Sequence, residues 1–505
     1  MSRLPIDPRT PVLVGEGQLL RHPTPRDDLA ALDEPVDMMA EALRQAAAGR
    51  ESLLKRADAV FTVELLSWRY ANAARSLADR LGAAPRRLAR SAVGGNSPQL
   101  LVNEAARAIQ RGELDVALIA GAEAVYTRLL VRKTQTHLPW SSMDVDAGAD
   151  APEVIGTDRP GVSDAEMARS LVMPVQVYPI FENALRAAAG RSPAAHLAFI
   201  SGLWARFSEV AAANPYAWSP VARTAEEIAT ITPDNRMIGY PYPKLLNANI
   251  QTDQAAALIL CSADAATAAG VPEDEWVFVH AGAAAHDHWF ISERWSLAES
   301  PAIRLAGEAA FELAGTGPDG VAHVDLYSCF PSAVEVGAAA LGFGLDDPDR
   351  PLTVTGGLAY AGGPGNNYVT HSIATLAGRL RGDPGSSGLV SALGWFTTKH
   401  AIGIYGSRPP AEGFRSAGEE VQAKVDALPR RVALADHEGP VTVESFTVMH
   451  ERDNAPALGI VACLLPDGER AWGNTTDAGT MAALLEPGAI GSPATLHEGG
   501  AIDLG

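Results

Sequence analysis

Short apolar, β-rich runs alternate with alanine-rich amphipathic segments over most of this 505-residue chain, and that alternation limits the possible folds more than any other feature. From Pro11 to about Leu130 the order is TPVLVGEG, VDMMAEALRQAAA, ADAVFTVE, RYANAARSLADRLG, RRLARSAV, QLLVNEAARAIQRG and DVALIAGAEAV. Runs of period two followed by runs of period 3.6 predict strands joined by crossover helices, hence a layered α/β architecture. The pattern resumes with DQAAALILCSADAATAAG, VFVHAGAAA and AIRLAGEAAFELAG, and residues 320–408 repeat the opening in outline. There HVDLYSCFPSAVEVGAAALG has a strand-then-helix shape, PLTVTGGLAYAGGPGNNYVTHSIATLAGRL parallels the opening stretch, and SSGLVSALGW with AIGIYGSR supplies paired closing strands. The expectation is two similar halves, by element order and not by repeated residues, facing one another with two helix N-termini near a shared centre.

Two segments interrupt the pattern. Residues 131–250 place Pro, Trp and Tyr in loops such as LPWSSMD, NPYAWSP and IGYPYPKLLNANIQTD around helices such as AAHLAFISGLWARFSEVAAA, and read as an insertion. From about residue 411, PPAEGFRSAGEE and a short charged helix lead into GPVTVESFTVMH, LGIVACLLPDGERAWGNTT and further short strands, which predict a small OB-like barrel or sandwich. The expected division is therefore 1–130 with 251–275 as the first half, 131–250 as the insertion, 276–410 as the second half and 411–505 as an additional β-rich domain.

Charge and cysteine content exclude several functions. With 40 Lys plus Arg against 60 Asp plus Glu, a formal charge of −20 opposes binding to nucleic acid through the overall field. Cys261, Cys329 and Cys463 are too few and too scattered for a disulfide framework or a zinc site, and no His/Cys/Asp/Glu group shows metal-ligand spacing. MSRLPIDPRTPVLVGEGQ lacks an apolar signal core and no run has membrane-spanning length, so the expected setting is the cytoplasm.

The stretch SAVGGNSPQLLVNEA, residues 91–105, reads as a strand end, a glycine turn and the start of a helix. Such a helix N-terminus offers unpaired N–H groups and positive dipole to a ligand. Yet the turn, Gly94, Gly95, Asn96 and Ser97, carries no thiol and no neighbouring base.

The run from Ser91 to Ala124, with Gly112 before Asp115 and IAGAEA closing it, resembles the first half of the thiolase superfamily, near the sterol-carrier-protein thiolase branch. In that family the helix opens with Cys-x-Ser-Gly, which puts the nucleophile's position at Gly95 with Ser97 and Pro98 following. DLYSCFPSAVEV is similar to the branch's His-Asp-Cys-Phe block, with Tyr327 for His or Asn, Ser328 for Asp, and Cys329 and Phe330 kept. TGGLAYAGGPGNN resembles Gly-Gly-x-x-x-x-Gly-His-Pro-x-Gly with Gly363 in place of the histidine, and SALGW resembles the final Cys-x-Gly turn with Ala392 for cysteine and Gly394 retained. The resemblance implies a thiolase fold of two βαβαβ-type halves in α/β/α/β/α layers, an acetyl-CoA acetyltransferase of lipid metabolism, and coenzyme A as ligand with no other cofactor.

Thiolysis needs a thiolate, a base to activate it and an acid–base group for the enolate or incoming thiol. Gly95, Gly363 and Ala392 cannot titrate, and an oxyanion hole alone falls orders of magnitude short of a full constellation. The chain is therefore expected to hold CoA or an acyl-CoA at Gly95, Asn96, Ser97, Gly363, Asn366 and Gly394 without thiolase turnover. Tyr327, Cys329 and Tyr360 are the catalytic candidates. Cys329 would serve an acetyltransferase with a non-standard nucleophile, although a cysteine after an apolar strand also reads as a buried small hydrophobe. The tyrosines would serve the alternative that the resemblance implies, a carbon–carbon lyase cleaving β-hydroxyacyl-CoA by retro-aldol reaction; such lyases resemble two-chain assemblies with a separate OB-containing partner. His371, read as two turns into a helix starting at Gly365, and His400, near the closing strands, are expected to be structural.

Arg128, Arg132 and Lys133 in TRLLVRKTQT, with Arg206, Arg223, Arg236 and Lys244 in the insertion, are candidates for the CoA phosphates, because the thiolase insertion resembles a CoA-binding loop domain; a solvated charged face is the alternative. Thiolases resemble tight dimers that pair the strand before the nucleophile turn with its two-fold mate. Here that strand is PRRLARSAV, and Arg86, Arg87 and Arg90 on such an edge predict a monomer.

Overall fold

The computed structural model describes residues 6–141, 143, 148–348 and 350–504. The first half contributes β1 (Pro11–Arg21), β2 (Ala59–Thr62), β3 (Arg87–Ser91) and β4 (Val116–Ala124). Residues of the 131–250 segment add β5 (Glu153–Ile155) and the hairpin β6 (Met237–Gly239) and β7 (Tyr242–Pro243) before β8 (Asp253–Ser262) closes the half. In space the order is β1-β8-β4-β2-β3, with β2 parallel to β3 and β4, and β8 antiparallel to β4 and β1. The second half supplies β9 (Val277–His286), β10 (His323–Asp325), β11 (Ser387–Gly394) and β12 (Lys399–Gly406) in the order β9-β12-β11-β10, with the same directions at equivalent pairs. The two halves thus match strand for strand, apart from the stretch at Leu352, which stands where β3 would and meets the half through Leu326 N donating to Leu352 O. β1 and β9 pair antiparallel at Val12–Phe278 and Leu13–Val277, so one 11-stranded sheet runs through both halves.

Alternation places this sheet between two apolar layers, as period-two runs require when both faces are buried. Val12, Val14, Val60, Leu118 and Ile259 pack on the outer helices Pro35–Ala47 and Ala73–Leu81. Leu13, Phe61, Ile119 and Leu258 face inward, towards the helices Ser97–Gln110 and Tyr368–Gly382, which touch each other at the centre. The outer helices Pro301–Ala314 and Pro331–Leu341 cover the second half, completing five layers. Both central helices follow the third strand position of their half, so their N-termini converge as expected. The second begins at Tyr368 and not at Gly365, because Gly365 takes a left-handed φ of 52° and Asn367 stands at the N-cap position. His371 is accordingly one turn in.

β13 (Arg415–Ala417) adds to β9 in parallel and the Glu419–Asp426 helix packs on the same region, before a second sheet begins. That sheet, β14 (Gly439–His450), β15 (Pro456–Leu464), β16 (Arg470–Thr475), β17 (Pro493–Leu496) and β18 (Ile502–Leu504), runs β16-β15-β14-β17-β18 with antiparallel neighbours. A parallel bridge from Asn474 to Ala501 brings β16 back to the β18 end, and the Ala478–Leu485 helix lies between β16 and β17 in the chain, so the added domain is β-rich with an antiparallel sheet. The hairpin of β6 and β7 joins β14 at Met449–Gly239.

The arginine-rich strand is not an open edge. β5 pairs along β3, at Ala89–Glu153, Arg90–Val154 and Ser91–Ile155. Arg87 pairs with Glu104 and Glu153, Arg90 with Glu64 and Asp158, and Arg86 with Asp58. The expected mutual repulsion of bare arginines is therefore replaced by neutralised charges and an occupied edge. Among the described residues no helix is long and apolar enough to cross a membrane.

Candidate functional site

β3 ends at Ser91 and the chain turns through Gly94, whose φ of 144° suits glycine, into the helix that opens Ser97-Pro98. Ser97 Oγ donates to Ala92 O at 2.7 Å, which ties the turn to the strand it leaves. At Gly95 a Cβ would lie 2.1 Å from Tyr327 Oη and 2.6 Å from both Tyr327 Cζ and Leu393 O. The space that a side chain at position 95 would need is therefore filled by the phenol of Tyr327, which arrives from the end of β10. Tyr327 is buried, sits edge-on to Tyr368 with centroids 5.6 Å apart, and is anchored through its backbone N–H, which donates to Ser391 Oγ at 3.0 Å. Burial, followed by the nearby Cys329 and Tyr368, raises its pKa well above the ordinary tyrosine value, so it acts as a neutral hydroxyl.

The other expected positions assemble around this contact. Asn366 accepts from Gly94 N at 2.9 Å and donates to Glu64 O at 2.8 Å, linking the second half to the first. Asn96 Oδ1 is buried without a hydrogen-bond partner and lies 2.4 Å from where a Cβ on Gly394 would stand. Gly363 donates to Asn249 O at 2.8 Å. Ala392, Tyr327, Leu393 and His400 border a void of about 10 Å³, at the lower limit for a single ordered water. Tyr360 lies elsewhere, its hydroxyl buried and unpartnered with Arg223 nearby; burial raises its pKa against that positive charge.

Cys329 is a buried thiol. Burial pushes its pKa up to about 12, and hydrogen bonding to Tyr178 only partly offsets this. His371 bonds Gln18 Oε1 through Nδ1 at 2.8 Å, and burial lowers its pKa to about 3. His400 Nε2 lies 3.1 Å from Asp287 Oδ2 and 3.2 Å from Thr397 O. Asp287 also accepts from Ser300 Oγ and from Ala302 N at 3.0 Å; burial works against its charge, but the His400 contacts prevail and hold its pKa low. Each ring thus has a buried polar partner, while His371 Nε2 has none.

Two ionisable groups at the site were not singled out from the sequence. Lys399, first residue of β12, reaches back over the turn and donates Nζ to Val93 O and to Thr157 O. Burial lowers its pKa to about 8, partly opposed by Asp158. A lone lysine inside the apolar closing run FTTKHAIGIYG was the available signal. Glu123 accepts from Leu66 N at 2.8 Å and Ser67 N at 2.7 Å beneath Gly365, and burial raises its pKa to about 7.

Of the cationic candidates, Arg128 and Arg132 share a groove of about 760 Å³ whose walls include Leu66, Trp68, Leu129 and His137. Arg128 donates to Ser67 O at 2.6 Å and lies over the Trp68 ring at 5.6 Å. Lys133 is exposed on the same helix, Val125–Thr134. The insertion residues spread over other surfaces: Arg206 donates to Leu345 O, Arg236 to Met237 O, Arg223 is half-buried near Tyr360, and Lys244 is exposed. The fold also brings together one group that sequence spacing does not show. Glu182, His196 and Glu335, distant in sequence, meet in the interior with a ligand atom of each within 4.8 Å of the others. Burial raises both carboxyl pKa values, and the neighbouring Glu182 adds to the effect at Glu335.

A family model described as the thiolase-like protein type 1 additional C-terminal domain matches residues 420–501. The crystal structure of a monomeric SCP2-thiolase-like protein type 1 from Mycobacterium smegmatis is 33% identical, covers 99% of this chain and 100% of that one, and superposes with a TM-score of 0.84. The chain belongs to the SCP2-thiolase-like proteins of type 1. For this type 1 protein, more distant structures show the shared fold: an Ltp2-ChsH2(DUF35) aldolase, 18% identical with a TM-score of 0.57, covers 79% of this chain and 99% of that chain. The dimeric peroxisomal thiolase of Saccharomyces cerevisiae, 13% identical with a TM-score of 0.55, covers 79% and 98%. An acetyl-CoA acetyltransferase of Methanothermobacter thermautotrophicus is 29% identical over 191 residues, 35% of this chain and 48% of that protein. One from Methanocaldococcus jannaschii is 30% identical over 122 residues, 24% and 30%. The type 1 chain thus spans half or less of these two relatives.

Proposed function

We propose that this chain binds CoA or an acyl-CoA thioester and does not turn it over as a thiolase. The observation that carries the reading is the Tyr327 hydroxyl standing in the volume a cysteine at position 95 would need. A neutral phenol there donates a hydrogen bond to a thioester carbonyl but is no nucleophile, and Cys329 is too far from thiolate formation to replace it. In this reading the acyl end lies against Gly95, Asn96, Ser97, Gly363, Asn366 and Gly394. The phosphates lie along Arg128, Arg132 and Lys133, and Trp68 offers an aromatic face in a groove of ordinary ligand-site size. Arg223, Arg236 and Lys244 on the insertion are further phosphate candidates, although they do not share that groove. The protein acts as a monomer, like its Mycobacterium smegmatis relative, because β5 occupies the edge that two-fold pairing of β3 would use. The division at 130, 250, 275 and 410 and a cytoplasmic setting complete the proposal.

Calorimetry with CoA, acetyl-CoA and acetoacetyl-CoA tests the reading. Saturable binding is expected, weakened about tenfold or more by Arg128→Ala or Arg132→Ala, since a lost charged hydrogen bond is worth about 1.5–3 kcal/mol. No binding at millimolar ester, or a covalent acetyl adduct forming on a catalytic timescale, refutes it. Cleavage of a β-hydroxyacyl-CoA that Tyr327→Phe or Tyr360→Phe abolishes replaces it with the lyase reading.

A further inference from the structure

Away from the turn, three helices meet at a buried cluster. Glu182 comes from the helix Pro174–Ala188, His196 from Pro193–Ala212 and Glu335 from Pro331–Leu341. Their exposures are 0%, 0% and 6%. His196 Nε2 bonds Glu182 Oε1 and lies 4.0 Å from Glu335 Oε1, and that second oxygen is buried with no hydrogen-bond partner. The outer oxygens are already committed: Tyr242 donates its hydroxyl to Glu182 Oε2, and Arg191 lies 3.8 Å from Glu335 Oε2. Arg186 is engaged with Asn183 Oδ1 at 3.2 Å and Arg191 O at 3.4 Å.

Two carboxylates in this interior have Arg191 nearby, with Arg186 also close to His196 but hydrogen-bonded elsewhere, and Arg191 also lies over the Phe199 ring at 3.8 Å. Buried charge of that kind is costly unless a cation or proton compensates it. A proton shared between the two carboxyls is the competing arrangement, relieving one charge and partnering Glu335 Oε1. A divalent ion takes an imidazole nitrogen and one oxygen of each glutamate together. We propose that Glu182, His196 and Glu335 form a zinc-class divalent metal site that pins the two insertion helices to the second half. Zinc bound through nitrogen and oxygen at about 2.0–2.2 Å places tetrahedral ligand atoms about 3.3 Å apart, between the closest and widest separations here. Tyr242, which also meets Ser332 Oγ at 2.9 Å, then orients Glu182 from behind.

The test uses the full chain, stripped with chelator and returned to metal-free buffer. Zn²⁺ is titrated with bound metal counted by mass spectrometry, and Co²⁺ is followed by its visible absorption. The expected result is one ion per chain, a rise in melting temperature with Zn²⁺, and at least tenfold weaker binding in Glu335→Gln and His196→Gln, whose circular dichroism matches the parent. Absence of stoichiometric Zn²⁺ or Co²⁺ in the folded parent overturns the site. So does equal metal content in the parent and both variants, which would place the ion elsewhere.

Discussion

Placing a thiol at position 95 by Gly95→Cys should damage the protein. The new Cβ would sit 2.1 Å from Tyr327 Oη and 2.6 Å from Leu393 O, whereas carbon atoms rest at about 3.5–4.0 Å from their neighbours. Leu393 lies within β11, held to β12 at His400, so its carbonyl cannot retreat without breaking the pairing. Tyr327 must move, yet it is 8% exposed and wedged against Tyr368. Overpacking of this kind costs about 1–3 kcal/mol, and with a backbone oxygen among the clashes about 2–3 kcal/mol is expected. Tyr327→Ala alone costs about 3–5 kcal/mol through the cavity it leaves. In that background the introduced thiol has room and adds little, so a double-mutant cycle should give a coupling of about 2 kcal/mol. The assay is the urea midpoint by tryptophan fluorescence, run beside alkylation of the introduced thiol. If Gly95→Cys alone keeps the parent midpoint and its thiol reacts as fast as in the double variant, Tyr327 does not fill the site and the reasoning fails.

Lys399→Met should alter the pH dependence of stability. The folded pKa, about 8, lies below the ordinary 10.5, so between these values the unfolded chain binds more protons and the parent gains stability as pH rises; urea midpoints across that window should climb in the parent and not in the variant, and parallel profiles would contradict this. Cys329, with its thiol pushed up to about 12, should alkylate at least about a thousandfold more slowly in the native protein at pH 8 than in urea, measured by peptide mass spectrometry; comparable rates would reopen the nucleophile question. Arg470 has no exposed surface and joins Glu444 of the second sheet to Ile291 O, Ser292 O and Arg294 O of the main body. Arg470→Met should therefore cost about 3–5 kcal/mol, seen as a separate, earlier melting step, and an unchanged calorimetric scan would show the bridge to be unimportant.

Much of the frame was legible because its signals are local. VALIAGAEA and DQAAALILCS are apolar on both faces and form the central strands β4 and β8, while amphipathic runs such as AARSLADRL form outer helices. The absence of thiol and imidazole at positions 95, 363 and 392 was equally plain. Less legible was β5: EVI is a three-residue strand with an exposed glutamate, and nothing in it announces that it will cover β3. The second central helix starts later than its sequence suggests because Asn366 and Asn367 spend their side chains on Glu64 O and Gly121 O, contacts more than two hundred residues away in sequence.

Residue periodicity and identity alone determined a layered α/β chain with two like halves, a β-rich addition and a glycine turn before a helix that carries no thiol, since each depends on neighbours along the backbone. Only the assembled structure decided that a tyrosine from the other half occupies the space beside Gly95, that a lysine from a closing strand reaches over the turn, and that two glutamates and a histidine meet in one interior cluster. Those placements depend on how distant strands and helices stack, and side-chain proximity across such distances leaves no trace in local pattern.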